Sequence, residues 1–174
     1  MGEADDRTIA ILPSRAFGDG RHETTCMCLQ ALAAFAPRNA FRLLDVGSGS
    51  GILAIAAAKM GGRGVGVEID EHANVLARAN AQLNGVADRV TFGTAWPEGT
   101  FEVVIANILR GVLLDLAPGI VERIASGGAL VLSGLVSTDV PSVIARYAPL
   151  LGDLRPDAFA RDEWRTLVWR LRAQ

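Results

Sequence analysis

A glycine-rich stretch, residues 43–51, carries the clearest chemical signal in this sequence. An apolar run ends at Asp45, and glycine then occupies three alternate positions, Gly47, Gly49 and Gly51. The apolar, alanine-rich segment 52–60 follows. This order predicts a strand, a tight turn and a helix. Because glycine has no Cβ, the backbone N–H groups of such a turn can approach a ligand closely. We therefore predict a ligand-binding turn at these glycines.

Further polar or small residues stand where other predicted strands end. Glu68 closes an apolar strand, Thr94 and Ala95 follow the next strand, and Asn107 follows the one after that. In open α/β sheets, ligands bind beyond the carboxyl ends of the strands, so we expect these residues to meet the glycine-rich turn in one cleft. A carboxylate in the position of Glu68 can accept hydrogen bonds from both hydroxyls of a ribose.

His22, Cys26 and Cys28 raise the hypothesis of a metal site. Positions 22 and 26 are one helical turn apart, but Cys28 points elsewhere and the sequence offers no evident fourth ligand, so we expect no metal. Two buried thiols that pack a helix explain the cysteines better. Their close spacing also excludes a disulfide framework. The lack of such a framework is typical of a protein in the reducing cytoplasm.

The composition predicts one globular domain over residues 1–174, with 1–15 as a lead-in. Half of the residues are hydrophobic and 21% are charged, which excludes disorder as the main state. The formal net charge of −2 gives no basic footprint, so we expect no direct binding of nucleic acid. The sequence shows neither a signal peptide nor an apolar run of about 20 residues, so we expect no membrane segment.

Strands and helices alternate along the chain. The hydrophobic pattern predicts strands over 8–12, 41–46, 63–69, 89–93, 101–106, 129–136, 154–159 and 164–171. It predicts helices after the polar loop 16–25, over 51–60, 71–84 and 108–124, and within 138–150. Near-continuous apolar strands separated by helices indicate a parallel sheet covered on both faces. The last two strands have no helix between them and should form an antiparallel hairpin.

The same pattern makes four local predictions. The first helix should bury one face, Cys28, Leu29, Leu32, Ala33 and Ala36. The helix over 71–84 should bury three residues, Leu76, Ala79 and Leu83. We expect Pro118 to kink or split the helix over 108–124. We also expect a turn at Gly127-Gly128.

The spacing within the glycine-rich turn separates two kinds of nucleotide site. A dinucleotide fingerprint needs glycine at position 52, where the sequence has Ile52. The pattern Asp45-x-Gly47-x-Gly49-x-Gly51 instead resembles the first motif of class I S-adenosylmethionine-dependent methyltransferases. This resemblance implies S-adenosyl-L-methionine as the cofactor.

Two rarer segments make the resemblance more specific. Residues 16–25 read Ala-Phe-Gly-Asp-Gly-Arg-His-Glu-Thr-Thr, and residues 103–109 read Val-Val-Ile-Ala-Asn-Ile-Leu. Together with 43–51 and 128–136, they are similar to the PrmA family, bacterial enzymes that methylate amino groups of large-subunit ribosomal protein eleven. The likeness covers nearly the whole chain. It implies a doubly wound, Rossmann-like sheet of seven strands, mostly parallel with a C-terminal antiparallel hairpin.

The family resemblance also implies roles for single residues. Phe17, Gly18, His22 and Thr24 would belong to a loop at the methionine end of the cofactor, and Asn107 would lie beside the reactive methyl group. Asn107 and His22 are the implied catalytic residues, although His22 as a structural residue stays an open alternative. Thr94 and Ala95 would lie where such enzymes hold the adenine. Trp96 stays open between stacking on that ring and ordinary loop packing.

The methyl acceptor stays open at this point. Where this chain has Asp19 and Arg21, the family usually has threonine and an apolar residue, so two charges stand near the acceptor. The family also carries an N-terminal domain that recognises the ribosomal protein, whereas this sequence begins just before the loop 16–25. The acceptor is then a protein amino group or a small-molecule amine. A third alternative, an inactive cofactor-binding module, is disfavoured because Asp45, Glu68 and Asn107 are all present.

Overall fold

The structure is a computed structural model that describes residues 8–13, 20–38 and 40–173. Within these ranges the chain forms seven strands: β1 (Arg42–Val46), β2 (Arg63–Val67), β3 (Val90–Gly93), β4 (Phe101–Asn107), β5 (Ile124–Val136), β6 (Asp157–Arg161) and β7 (Trp164–Arg170). Five α-helices are described: α1 (Glu23–Phe35), α2 (Ile52–Lys59), α3 (Glu71–Leu83), α4 (Arg110–Val121) and α5 (Val140–Tyr147). A 3-10 helix, Ala148–Leu151, follows α5. No helix in the described ranges is both long and apolar enough to cross a membrane.

The seven strands form one sheet in the order β3-β2-β1-β4-β5-β7-β6. The first five strands of that order pair in parallel, and β7 pairs antiparallel with both β5 and β6. The predicted mostly parallel sheet with a C-terminal hairpin is therefore confirmed. The strand order reverses between the neighbours β1 and β4, which creates the crevice in which such sheets bind ligands.

Helices cover both faces of the sheet. One apolar cluster packs α1, α2 and α3 against the sheet, and a second packs α4 and α5 against the opposite face. Helix α2 starts at the glycine-rich turn and returns to the amino edge of the sheet, where Lys59 ends it. Lys59 is the only lysine of the sequence.

The predicted strand over 8–12 is wrong. Residues 8–13 pair with no strand in the described structure and lie instead on α3. Ala10 donates its N–H to Asn84 Oδ1 at 2.9 Å, and Leu12 donates its N–H to Asn80 Oδ1 at 2.9 Å. Two asparagine side chains thus provide the partners that a neighbouring strand would provide.

The predicted inward face of α3 is also wrong. Leu83 is 54% exposed, and Leu76 and Ala79 are only partly buried. The buried face consists of three alanines and two asparagines, Ala73, Asn74, Ala77, Asn80 and Ala81. Small side chains let α3 approach the glycine-rich turn closely, and the buried asparagines pair with backbone groups.

The buried face of α1 differs from the predicted one as well. Cys28 and Leu32 are buried as expected, but Ala33 is exposed, and Leu29 and Ala36 are only partly buried. The other buried residues of the helix are Thr24, Thr25, Met27 and Ala31. The face is rotated because the first turn of α1 buries Thr24 and Thr25, and Thr24 lines the cleft described below.

Helix α4 contains Pro118 and is not split by it. Proline cannot donate to the carbonyl four residues earlier, which belongs to Leu114. That carbonyl accepts a hydrogen bond from Arg146 Nε of α5 at 3.1 Å, and Tyr147 Oη donates to the neighbouring Leu113 carbonyl at 2.8 Å. The bond that proline removes within α4 is thus replaced by a contact between helices.

The predicted turn at Gly127-Gly128 is an irregularity within one long strand. β5 runs through both glycines, with a shift in its register against β4. Gly127 has a φ of +73°. The strand stays attached on its other side, since Leu171 N–H donates to the Gly128 carbonyl at 2.8 Å.

Candidate active site

A cleft of about 700 Å³ opens at the carboxyl ends of β1, β2 and β4. It lies at the reversal of strand order and is within the size range of small-molecule sites. The cleft is lined by seven of the residues that the sequence singled out, His22, Thr24, Gly47, Gly49, Glu68, Thr94 and Asn107. Asp45, Gly51 and Ala95 do not line it, and Phe17 and Gly18 lie outside the described residues.

The glycine-rich turn forms the floor of the cleft. The N–H groups of Gly47 and Ser48 both donate to the Val67 carbonyl, at 2.8 and 3.2 Å, so the turn is fixed to the end of β2. Gly47 has a φ of +76°, and a Cβ there would lie 2.2 Å from Ile108 Cγ2. Only glycine fits this position, because any side chain would strain the backbone and collide with the Ile108 side chain.

Glu68 is held rigidly on one side of the turn. Its Oε2 accepts the N–H of Gly49 at 3.1 Å, and its Oε1 accepts the N–H of Asp70 at 3.1 Å. Asn74 Nδ2 donates to the Glu68 backbone carbonyl at 2.9 Å. Each carboxylate oxygen keeps further acceptor capacity, so Glu68 can still receive two hydroxyl groups from the cleft.

Asp45 lies beneath the turn and is 1% exposed. Burial raises its pKa from 3.8 to about 7; the hydrogen bond from the Ala54 N–H lowers the pKa, and the nearby Glu68 charge raises it. Its Oδ2 has no hydrogen-bond partner among the described residues. Ala54 belongs to the first turn of α2, whose N–H groups have no partner within the helix. The structure therefore places Asp45 under the turn as the group that joins it to α2.

A chain of three polar side chains stands on the other side of the turn. Asn107 Nδ2 donates to Thr24 Oγ1 at 3.1 Å, and Thr24 Oγ1 lies 2.8 Å from His22 Nδ1. The Thr24 N–H also donates to His22 Nδ1, at 3.3 Å, which makes His22 the N-cap of α1. His22 Nδ1 is thus engaged by the backbone and the hydroxyl of Thr24 at the start of α1. This geometry favours the structural alternative for His22.

Asn107 Oδ1 is buried and has no partner among the described residues. It lies beside Gly134 of β5, which has a φ of +79°. A Cβ at Gly134 would be 3.1 Å from Asn107 Oδ1 and 3.1 Å from the Ile108 carbonyl oxygen. Two acceptor oxygens thus converge at this position, and Gly134 leaves room for them.

Sequence reasoning missed the apolar walls of the cleft. These walls consist of Ile69, Ile108, Leu109, Val112, Leu116 and Trp164. Ile69 is 90% exposed and Leu109 is 76% exposed, which is unusual for such side chains. Ile69 directly follows Glu68, and Leu109 lies two positions after Asn107. This proximity to predicted site residues is the feature of the sequence that could have identified them as part of the cleft. Trp164 starts β7, and its ring meets the edge of the His22 ring at a centroid distance of 5.0 Å.

The loop after β3 is fixed from outside the cleft. The Arg123 guanidinium lies over the Trp96 ring, 4.6 Å from its centroid, and Arg123 Nε donates to the Pro97 carbonyl at 3.1 Å. Trp96 also lines the cleft. The ring is thus packed within the loop and still presents a surface to a ligand, so both alternatives for Trp96 are compatible with its position.

The cysteines have ordinary packing environments. Cys28 is fully buried, and burial raises its pKa to about 12; a hydrogen bond with Ser133 lowers the pKa, and the Asp45 charge raises it. Cys26 Sγ donates to the Gly20 carbonyl at 3.3 Å. In the part of the chain that the structure describes, no three ionisable or thiol side chains come together as a metal site.

Comparison with known proteins identifies the family. The family model described as ribosomal protein L11 methyltransferase (PrmA) matches residues 2–172. The chain belongs to the PrmA family. A ribosomal protein L11 methyltransferase from Syntrophotalea carbinolica is 42% identical over 173 residues, which cover 96% of this chain and 56% of the relative. Another, from Bordetella parapertussis, is 49% identical over 144 residues, which cover 82% of this chain and 47% of the relative. The chain spans about half the length of these curated relatives of the PrmA family.

Solved structures agree with the PrmA assignment. The crystal structure of a ribosomal protein L11 methylase from Lactobacillus delbrueckii subsp. bulgaricus matches with a TM-score of 0.79 and 29% identity, covering 87% of this chain and 81% of that one. An RNA methyltransferase from Salinibacter ruber, solved with S-adenosyl-L-homocysteine, matches with a TM-score of 0.67 at 24% identity, covering 86% and 92%. At that identity, the second match supports only the fold.

Proposed function

We propose that this chain is an S-adenosylmethionine-dependent methyltransferase domain that methylates amino groups of a ribosomal protein. One observation carries the proposal: the cleft has Glu68 on one side of a glycine-rich turn and Asn107 on the other. The relatives are named ribosomal protein L11 methyltransferases, which supports this class of acceptor. We place the reaction in the cytoplasm, where ribosomal proteins are available.

The residues present fit the cofactor. S-adenosylmethionine supplies an electrophilic methyl group on a sulfonium. Glu68 is fixed by two backbone N–H groups and would accept the ribose hydroxyls. Gly47 leaves the floor of the cleft open where a Cβ would fill it. Thr94 and Trp96 line the part of the cleft where the adenine would lie.

The other side of the turn suits an amine acceptor. Asn107 Oδ1 is a buried carbonyl oxygen without a donor among the described residues, and an amine N–H is the kind of donor it lacks. Because Oδ1 is shielded from solvent, Asn107 must turn towards the cleft to meet the amine. The bond from its Nδ2 to Thr24 sets the position from which it turns.

The electrostatics of the cleft favour a neutral amine. Among the residues that line it, the carboxylates are Glu68 and Asp70, and both stand at the end of β2. The side near Asn107 is walled by apolar groups such as Ile108, Leu109 and Trp164. A lysine ammonium that enters this region loses water without gaining a counter-charge, so its pKa falls and the reactive neutral amine is favoured.

The test combines binding and transfer. We expect S-adenosylhomocysteine to bind with micromolar affinity in calorimetry. We expect radiolabelled methyl groups to enter ribosomal protein L11 rather than a panel of small amines. Absence of binding heat would overturn the cofactor assignment, and label found only in small amines would overturn the protein acceptor.

The Asn107→Ala variant tests the role of Asn107 in the same assays. We expect it to abolish methyl transfer and to leave the affinity for S-adenosylhomocysteine within about twofold of the original. Gln82→Ala, which removes an exposed amide on α3, is the control and should behave like the unmodified chain. Retained turnover in Asn107→Ala would remove Asn107 from the mechanism.

A further inference from the structure

The buried side chain of Asn80 connects two parts of the backbone that lie far apart in sequence. Asn80 is on α3 and is 0% exposed. Its Nδ2 donates to the Ser50 carbonyl at 2.8 Å, and its Oδ1 accepts the Leu12 N–H at 2.9 Å. Ser50 lies inside the glycine-rich turn, between Gly49 and Gly51. One amide therefore joins the floor of the cleft to the segment 8–13.

The segment 8–13 is attached to α3 at a second point. Asn84, one helical turn after Asn80, accepts the Ala10 N–H at 2.9 Å and donates to the Ala10 carbonyl at 2.7 Å. Ile9 and Ile11, on either side of Ala10, pack against the apolar cluster under α2 and α3. The two asparagines differ in one respect: Asn80 also donates to Ser50 of the turn, whereas Asn84 donates to the Asn80 backbone carbonyl within α3, at 2.8 Å.

We infer that Asn80 is a positioning residue that couples the docking of residues 8–13 to the geometry of the glycine-rich turn. This inference rests on the proposed binding of S-adenosylmethionine by that turn. Each of the two processes then favours the other. Docking of the segment strengthens cofactor binding, and cofactor binding holds the segment on α3.

The physical link is the amide group itself. A hydrogen bond accepted by Oδ1 polarises the amide and strengthens the bond that Nδ2 donates. When Leu12 occupies Oδ1, the Ser50 carbonyl is held more firmly, and the turn keeps its shape. Asn80 is buried, so water cannot replace either partner. Since coupling free energies are reciprocal, a ligand that requires the same turn must also strengthen the bond to Leu12.

Three variants of the full chain separate coupling from simple attachment. Asn80→Ala removes both halves of the link. Leu12→Pro removes only the N–H that Asn80 accepts and leaves the bond to Ser50 possible. Asn84→Ala is the matched control, because it removes both hydrogen bonds to Ala10, and one to the Asn80 backbone carbonyl, and leaves the Asn80 side chain with its own two bonds.

We expect the dissociation constant for S-adenosylhomocysteine in calorimetry to rise about 10-fold in Asn80→Ala and about 5-fold in Leu12→Pro, which is the usual range of coupling between sites. It should stay within about twofold in Asn84→Ala. At saturating cofactor we expect all three variants to keep kcat, so the effect should appear in KM for the cofactor. If Asn80 and Asn84 merely attached the segment, the affinity should fall more in Asn84→Ala than in Leu12→Pro, because Asn84→Ala loses two bonds to the segment and Leu12→Pro loses one.

Hydrogen exchange of the unmodified chain tests the same inference without a substitution. We expect S-adenosylhomocysteine to slow exchange of the Leu12 amide about 5-fold or more. Unchanged exchange at Leu12, or equal affinities of Leu12→Pro and Asn84→Ala, would overturn the coupling while leaving the proposed function intact. If the unmodified chain binds no S-adenosylhomocysteine, the proposed function itself fails.

Discussion

The amide of Asn107 donates to the hydroxyl of Thr24 across 83 residues of sequence, at an Nδ2–Oγ1 distance of 3.1 Å. This bond joins the end of β4 to the first turn of α1. Thr24 is 1% exposed, so water does not compete for the bond. The orientation of Asn107 in the cleft therefore depends on a helix that contributes little else to the site.

We predict that Thr24→Val lowers both stability and methyl transfer. Valine has nearly the same shape, but Asn107 Nδ2 loses its acceptor and His22 Nδ1 loses its contact with the Thr24 hydroxyl, which should lower the free energy of unfolding by about 1–3 kcal/mol. Thr166→Val is the control, since it removes another buried bond, 2.7 Å long, to Ser133. Urea unfolding should show similar losses for both variants. Equal turnover of the two would contradict a role for Thr24 in orienting Asn107.

Gly134 offers a test of the space beside Asn107. In Gly134→Ala, the left-handed φ of +79° adds about 1–2 kcal/mol of strain. The new Cβ would lie 3.1 Å from Asn107 Oδ1 and should push that oxygen out of its position. Gly152→Ala is the matched control, because Gly152 has a φ of +64° and no atom within 4 Å of the added Cβ. Both variants should lose stability in urea unfolding, and Gly134→Ala alone should lose turnover. Full activity in Gly134→Ala would show that the position of Asn107 Oδ1 is unimportant.

Glu68→Gln should weaken cofactor binding about 10- to 100-fold. Glutamine offers one acceptor oxygen where Glu68 accepts two backbone N–H groups, so its NH₂ group would face a donor. Calorimetry with S-adenosylhomocysteine measures the change, which corresponds to about 1.4 kcal/mol for each factor of ten. Asp70→Asn is the control, because asparagine also caps a helix and should keep the affinity. The ribose assignment fails if the two variants bind equally well.

The buried Asp45 predicts an unusual dependence of stability on pH. Its pKa is raised from 3.8 to about 7, so the folded chain binds the proton more tightly than the unfolded chain. The contribution to stability is therefore full below about pH 4, falls by about 1.4 kcal/mol per pH unit as the pH rises towards 7, and is constant above that.

Urea unfolding of Asp45→Asn between pH 4 and pH 8 checks this prediction. The variant should lose most of the slope between pH 4 and 7, since asparagine does not titrate. Asp88→Asn, a change at an exposed carboxylate, should keep the slope of the unmodified chain. A slope that persists in Asp45→Asn would assign it to another group.

The sequence predicted the sheet and the floor of the cleft because both depend on local patterns. Apolar runs define β1, β2 and β4; Glu68 follows β2 directly, and Asn107 is the last residue of β4. Parallel strands carry such end residues to one edge, so their meeting follows from topology. The predicted boundaries of β1, β2 and β4 lie within two residues of the observed ones, whereas β5 begins five residues before its predicted start.

The errors occurred where side chains replace the expected backbone pairing. Segment 8–13 has the pattern of a strand, yet Asn80 and Asn84 provide its partners. Pro118 was expected to kink or split a helix; it does not split α4, and Arg146 Nε from α5 donates to the carbonyl that proline leaves without its partner. A one-dimensional pattern contains no information on partners that arrive from a distant element.

The apolar walls illustrate a second limit. Leu109 and Trp164 lie 55 positions apart in the numbering and form parts of one cleft. Hydrophobic periodicity assigns such residues to a core, because it cannot distinguish a wall that awaits a ligand from one covered by protein. Their exposure becomes visible only in the folded chain.

Lys59 ends α2 at the amino edge of the sheet, whereas the cleft opens at the carboxyl edge. The eight residues of α2 separate that lysine from the turn by about 12 Å of helix. The only lysine of the chain thus cannot enter the chain's own cleft. Any methyl label on Lys59 would report one molecule acting on another, and its yield would rise with protein concentration. Self-labelling at lysine should therefore add almost no background to assays of the proposed methyl transfer.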